Sequence, residues 1–210
     1  MIKVIPFIYE DLDDLYANTY LLSDENNNCV VIDPSKNNLN LVNFIKNNNL
    51  LLKAVLLTHG HIDHMRGVDT LVDNFKCPLY IGFYDINKLK DSYENCSLFL
   101  GSEMVVNSNA ETVSDKQVLK CLKNDIVVIE TPFHTSGSLC YYIQDAKLLF
   151  TGDFLFAGSV GRSDLPSAKP KEFRNSINKL LALPKETKIY PGHGKSTTLK
   201  QECEANPFVK

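Results

Sequence analysis

The 210-residue sequence has no tryptophan, no pair of cysteines spaced as C-x-x-C, and no block of lysine and arginine. Without such a pair, its six cysteines are expected to be packed, reduced thiols and not a disulfide framework. The formal net charge of −3 and the lack of a basic cluster argue against a nucleic-acid partner. No apolar run is long enough to span a bilayer, and the first residues lack a signal-peptide core. These absences predict a cytoplasmic protein that binds neither nucleic acid nor a membrane.

Composition and periodicity predict one α/β (α+β) domain over residues 1–210. Apolar residues make up 44% of the chain and charged residues 22%, which is close to the average for globular domains. We predict strands at 3–8, 19–22, 29–32, 53–57, 125–130, 139–143, 147–150 and 188–190. Helical spacing of apolar residues predicts helices at 38–48, 68–75 and 170–183, and the segment 83–119 is expected to mix a helix with short strands. No internal repeat interrupts this pattern, and no motif specifies an oligomeric state.

Four potential metal ligands directly follow the predicted strand 53–57. They are His59, His61, Asp63 and His64, in the pattern H-x-H-x-D-H. A tight turn between a strand and a helix can aim His59 and His61 at one point and Asp63 and His64 at another. Imidazole nitrogens combined with a carboxylate suit zinc, iron or manganese. A polar loop with surface histidines is the alternative, but a cluster this dense indicates a metal centre.

The remaining two histidines also lie in turns just past predicted strands. His134 lies in the segment TPFHTSGS after the strand 125–130, and His193 lies in PGHG after the strand 188–190. Between them, Asp153 follows the strand 147–150 in the segment TGD. Functional groups in layered α/β folds commonly sit on such loops, because the strands fix their origins and the loops supply reach. The positions of all five histidines therefore indicate a shared site.

The order H-x-H-x-D-H, H, G-D and P-G-H-G resembles the metallo-β-lactamase superfamily across essentially the whole chain. The segments TGDFLF (151–156) and GRSDLP (161–166), with NPF at 206–208, are similar to its glyoxalase II-like branch. That branch comprises hydroxyacylglutathione hydrolase and short single-domain relatives. The resemblance implies a four-layer αββα sandwich of two mixed β-sheets flanked by helices, with the site at one edge between the sheets. Full-length glyoxalase II carries a helical C-terminal domain that helps to hold glutathione, and we expect this chain to lack it.

The resemblance also implies two divalent metal ions, zinc above all, with iron or manganese as alternatives. The first would be held by His59, His61 and His134, the second by Asp63, His64 and His193, and Asp153 would bridge them. Two cations about 3.5–4 Å apart can share one water and lower its pKa to near neutrality. Asp63 is expected to orient this nucleophile in addition to binding metal. The expected activity is hydrolysis of a thioester, hydroxyacylglutathione-like, or of a related activated ester of a small-molecule metabolite.

Several residues near these motifs depart from the family pattern or have two interpretations. Phe133, Ser136, Phe154 and Arg66 stand where other residues are usual, but none of them removes a ligand. Arg162 is predicted to bind a substrate carboxylate, because its planar fork suits bidentate contacts. Its alternative is a structural ion pair with Asp164. Asp33 is interpreted as a turn-forming residue outside the ligand set.

Other functions remain open alternatives at this stage. A persulfide dioxygenase with a single iron resembles this branch and keeps a similar Gly-Arg-Ser/Thr-Asp segment. A non-catalytic metal-binding protein is disfavoured because all seven candidate ligands are intact. An exported β-lactamase is disfavoured because a cysteine takes the place of Asp153 in the best-known subclasses. A nuclease is disfavoured because no basic surface is evident.

Overall fold

The first half of the chain forms a six-stranded mixed sheet. The computed structural model describes residues 1–9, 15–37 and 39–210. The strands are β1 (Lys3–Phe7), β2 (Thr19–Ser23), β3 (Asn28–Ile32), β4 (Leu51–Leu56), β5 (Leu79–Gly82) and β6 (Glu111–Val113), adjacent in chain order. β1 to β3 pair antiparallel and β3 to β6 pair parallel. Parallel neighbours need crossover connections, which include α1 (Leu39–Asn47), α2 (Ile62–Met65) and α3 (Val68–Phe75).

The second half of the chain forms the other sheet. Its first strands are β7 (Val118–Leu119), β8 (Ile126–Glu130), β9 (Leu139–Ile143) and β10 (Leu148–Gly152). The small hairpin of β11 (Leu155–Phe156) and β12 (Ser159–Val160) and the helix α4 (Phe173–Leu181) come next. The chain continues with β13 (Lys188–Pro191), β14 (Thr197–Thr198) and α5 (Leu199–Ala205). The strand order is β14-β13-β10-β9-β8-β7, with β10 and β13 parallel and the other pairs antiparallel.

Side chains of the central strands alternate between two apolar layers, as the two-residue period of a strand requires. On one face of the first sheet, Leu21 and Val31 pack with side chains of α1 and α3. On the other face, Leu22 and Val30 pack against the second sheet. A third apolar layer joins the second sheet to α4 and α5. One apolar layer thus lies between the two mixed sheets, and one lies between each sheet and the helices outside it. The expected αββα sandwich is confirmed.

Most predicted elements are present with shifted ends. β1 ends one residue early, β4 begins two residues early at Leu51, and α4 is preceded by a 3-10 turn at Pro170–Glu172. The predicted start of the first helix at Asn38 lies outside the described residues. Within the described chain, no helix has both the length and the apolar composition needed to cross a bilayer.

The segment 83–119 combines helical parts with the short strands β6 and β7, as predicted. Its described helical parts are of the 3-10 type, at Phe83–Leu89 and Ser97–Leu100. Between them, the Asp91 carboxylate accepts two backbone N–H bonds and the Asn95 side chain accepts one. Such local side-chain bonds offer the backbone an alternative to the helical pattern. This segment nevertheless supplies Asp85, Asn95 and part of the cavity wall described below.

Candidate metal centre

The seven predicted ligands come from both sheets and meet at one edge of the sandwich. Four follow β4 and three follow strands of the second sheet; they are His59, His61, Asp63, His64, His134, Asp153 and His193. Asp63 and His64 lie on α2, a helix of four residues. His134 lies between β8 and β9. Asp153 directly follows β10, and His193 comes shortly after β13. Asp153 and His193 are half-buried, and the other five side chains are buried.

Three imidazole nitrogens form the first group. The Nδ1 atom of His61 lies 3.1 Å from His59 Nε2 and 2.9 Å from His134 Nε2. The Nδ1 atom of His134 donates to the carbonyl of Arg162 at 2.7 Å, so the lone pair of a neutral ring lies on Nε2. Burial and neighbouring histidines hold the pKa of His59 well below its ordinary value, and they lower the pKa of His61 to about 3. Ring nitrogens that converge on one point are the arrangement that a transition-metal ion satisfies.

The second group combines imidazoles with carboxylates. His193 Nε2 lies 3.1 Å from Asp63 Oδ2, and His64 Nε2 lies 3.2 Å from Asp153 Oδ1. The other carboxylate oxygen of Asp153 lies 3.6 Å from both His134 Nε2 and His193 Nε2. Asp153 therefore contacts members of both groups, which is the placement that a bridging ligand requires.

Two buried atoms in this group carry the test for a cation. His64 Nε2 and Asp153 Oδ1 are buried and lie 3.2 Å apart, but neither atom makes a well-aligned hydrogen bond. Burial alone lowers the pKa of His64, but Asp153, Asp63 and Asp33 outweigh it and raise the pKa well above its ordinary value. The group therefore favours positive charge at this point. A buried nitrogen and a buried oxygen without well-aligned hydrogen bonds can both donate an electron pair to a divalent transition metal.

Asp33 orients the candidate ligand His64, a role that its interpretation as a turn-forming residue misses. Its carboxylate accepts from His64 Nδ1 at 2.9 Å and from the backbone N–H and hydroxyl of Thr58 at 2.8 and 2.7 Å. The Thr58 hydroxyl lies 3.2 Å from His59 Nδ1 and can accept its proton. Such partners fix the tautomer and the direction of a metal ligand. The available signal was the position of Asp33 at the end of β3, because β3 and β4 are parallel and end at one edge.

Asp85 is a second positioning residue that sequence reasoning did not identify. Its fully buried carboxylate accepts from Gly60 N at 3.0 Å, Gly137 N at 2.9 Å and the Thr135 hydroxyl at 2.7 Å. Burial raises the pKa of Asp85, and these hydrogen bonds and Lys88 partly offset the effect. Gly60 lies between two ligands of the first group, and Thr135 follows the third. Asp85 thus ties together the two loops that form this group.

Arg162 forms the ion pair that was the alternative to substrate binding. Its Nε and Nη2 atoms donate to the two carboxylate oxygens of Asp164 at 2.7 and 2.8 Å. Both side chains are exposed. The backbone carbonyl of Arg162, not its guanidinium group, holds His134. A substrate contact of Arg162 remains a prediction.

A cavity of about 530 Å³ opens onto the cluster. His61, Asp63, His134, Asp153 and His193 line it. A larger cavity of about 710 Å³ lies elsewhere and is lined by none of the seven candidate ligands. Because reactive groups and space for a substrate coincide only at the smaller of these two cavities, we assign the site there.

The chain belongs to the metallo-β-lactamase superfamily, whose family model matches residues 12–193. It is 34% identical over 198 residues to the probable metallo-hydrolase YqgX of Bacillus subtilis, covering 93% of each chain. It is also 32% identical over 200 residues to the hydroxyacylglutathione hydrolase GloC of Haemophilus influenzae, covering 91% of this chain and 92% of that one. Membership and fold together define the chain as a metallo-hydrolase-type protein with a metal-binding His/Asp cluster.

The solved structures of similar proteins include one named for an activity and one named for its bound metal. The B3 metallo-β-lactamase BLEG-1 has a TM-score of 0.91 and 34% identity, with 100% of this chain and 99% of that chain covered. A di-iron-bound form of TTHA1623 has a TM-score of 0.86 and 32% identity, with 97% and 99% covered. ETHE1 from Myxococcus xanthus, at 24% identity and a TM-score of 0.78 over 98% and 83%, shares the fold. A protein similar to this chain therefore binds two iron ions in this fold.

Proposed function

We propose that the protein hydrolyses thioesters of small metabolites with two divalent transition-metal ions held by the seven-residue cluster. The observation that carries this proposal is the convergence of all five histidines and two aspartates in one cluster, five members of which line an open cavity. The likeness to a hydroxyacylglutathione hydrolase supports the thioester as the substrate class. We propose zinc as the native metal, and the di-iron relative supports iron as its alternative.

The seven side chains have defined roles in this proposal. His59, His61 and His134 would hold the first ion, Asp63, His64 and His193 the second, and Asp153 would bridge them. When bound, such a pair lowers the pKa of a shared water and stabilises the negative charge that develops on the carbonyl oxygen. In the overall reaction, water supplies the oxygen of the new C–O bond, the C–S bond breaks, and the thiol leaves with a proton. Asp63 lines the cavity, where its carboxylate can orient the attacking water.

The chain offers no competing nucleophile in the described lining of this cavity except the thiol of Cys96. Burial raises the pKa of Cys96 to about 11. A thiol with this pKa is almost wholly protonated at neutral pH and is a weak nucleophile. Direct attack by water, and not a covalent acyl-enzyme, is therefore the proposed route.

The experiment supplies metal-replete protein, under anaerobic conditions, with S-D-lactoylglutathione and simpler thioesters while thiol release is followed. In parallel, glutathione persulfide is supplied in an oxygen electrode. We expect thiol release without oxygen and its loss in Asp63→Asn and Asp153→Asn. Oxygen uptake with persulfide, together with no thiol release from any thioester, would assign a dioxygenase instead, since activation of dioxygen needs iron with open positions.

Hydrolysis of β-lactams is the second candidate, because the similar BLEG-1 structure is named as a B3 metallo-β-lactamase. Asp153 argues against the best-known β-lactamase subclasses, in which a cysteine takes this place, but the 34% identity to BLEG-1 supports this candidate. A chromogenic cephalosporin therefore belongs in the same assay. A kcat/KM for the cephalosporin above that for every thioester would make β-lactams the preferred substrates.

A further inference from the structure

Apart from the metal ligands, the wall of the active-site cavity is almost entirely apolar. Its large side chains include Phe99, Leu100, Phe156 and Leu165, which we call the apolar wall. Phe99 and Leu100 keep 58% and 45% of their surface exposed. Large apolar groups that stay exposed next to a reactive site indicate a surface that a ligand covers.

The only charged side chain in the described lining besides the ligands is that of Arg162. Its guanidinium group is already bonded to both oxygens of Asp164. Away from Arg162, a polar substituent on the acyl group would therefore leave water without a matching hydrogen-bond partner on this wall. Such a loss is unfavourable, whereas burial of apolar surface is favourable.

The apolar wall is attached to the ligand-bearing elements on one side through Asn95. The backbone carbonyl of Asn95 accepts from Ile62 N at 2.9 Å, next to the ligands on α2. The buried Asn95 side chain accepts from Ser97 N at 2.9 Å and donates to the Met104 carbonyl at 2.8 Å. These bonds fix the turn that carries Phe99 and Leu100, so this part of the wall is preformed relative to the metal centre.

On the other side, the hairpin of β11 and β12 carries Phe156, whose ring centroid lies 6.1 Å from that of His193. The buried Glu202 of α5 accepts from Gly158 N at 2.8 Å, and Asn206 donates to the Ser159 carbonyl at 3.0 Å. The tip of this hairpin is therefore held by the end of the chain. Both sides of the apolar wall are anchored by buried polar side chains.

We propose that the acyl group of the substrate is apolar and lies against Phe99, Leu100, Phe156 and Leu165. This inference rests on the thioester hydrolysis proposed above. It names aliphatic or aromatic acyl thioesters as the preferred class, ahead of hydroxyacyl thioesters. The thiol part is directed away from this wall, because the scissile carbonyl has to lie at the metal ligands.

The test compares acetyl, propionyl, butyryl, hexanoyl and D-lactoyl thioesters of one thiol, N-acetylcysteamine. We expect kcat/KM to rise about fourfold per methylene until the cavity is filled, the factor that corresponds to about 0.8 kcal/mol per buried CH₂. Propionyl and lactoyl differ by a single hydroxyl group, and we expect propionyl to be preferred about tenfold. Phe99→Ala should lower the ratio of hexanoyl to acetyl turnover.

Phe83→Ala is the matched control, because Phe83 is 60% exposed, much like Phe99, and does not line this cavity. We expect it to leave the hexanoyl-to-acetyl ratio unchanged. Hydrolysis of all thioesters with no dependence on chain length, or with lactoyl preferred, would refute the apolar-acyl inference and leave the proposed function intact. Hydrolysis of none would refute the proposed function, and the inference would fall with it.

Discussion

Asp85 gives the sharpest test of how the first metal group is assembled. Asp85→Asn keeps the shape of the side chain but replaces one acceptor oxygen by an NH₂ group. The carboxylate now accepts from Gly60, Gly137 and Thr135, and in the variant at least one of these buried donors faces another donor. Such an unsatisfied group costs about 1–3 kcal/mol. The free energy of unfolding should fall by about that amount, out of about 5–15 kcal/mol for a typical domain.

The effect on metal binding separates a positioning role from simple stabilisation. Loss of the link between the two loops should weaken metal affinity about tenfold or more, as seen for partners outside the ligand shell. Affinity is measured by competition with a chelating dye, and stability by urea unfolding of the metal-free protein. The control is Asp91→Asn, because Asp91 accepts backbone N–H groups of Tyr93 and Glu94 in an exposed turn. If Asp85→Asn unfolds earlier but binds metal as tightly as the wild type, the proposed role is wrong.

Three further predictions concern metal load, the exposed ion pair and pH. Metal-replete protein should contain two transition-metal ions per chain, and Asp153→Ala should lose both. Elemental analysis that finds less than one ion per wild-type chain would contradict the paired site. Asp164→Ala should lower KM for an anionic thioester, because it releases Arg162 from its ion pair. If KM is unchanged in both Asp164→Ala and Arg162→Ala, the ion pair has only a structural role. Burial alone raises the pKa of Asp69, but hydrogen bonds from Asn107 and Ser108 outweigh it and lower the pKa. The stabilisation by Asp69 is therefore full above about pH 4, the region of the unfolded pKa, and lost as pH falls through the folded pKa. Urea unfolding of Asp69→Asn and wild type should differ at pH 7, and the difference should shrink as pH falls through the folded pKa.

The convergence of the seven candidate ligands was predictable from sequence because their residue types are rare and their positions are local. Each histidine follows an apolar strand, and the strand end alone places it at the edge of a sheet. Asp33 and Asp85 were not predictable in the same way, because aspartate is common in turns and their roles depend on which loops pack beside them. The segment 83–119 was hidden for a related reason. Its 3-10 turns are set by side chains bonded to backbone, which leave no apolar periodicity.

The division of the chain into two consecutive sheets means that neither half can build a metal group by itself. Residues up to β6 supply His59, His61, Asp63 and His64, and residues from β7 onward supply His134, Asp153 and His193. Each group of three histidine or aspartate ligands needs at least one member from each half. If the chain were cut between β6 and β7 and the pieces were made separately, a complete group of three candidate ligands could form only where both pieces meet. Metal binding would then report whether the two pieces have reassembled.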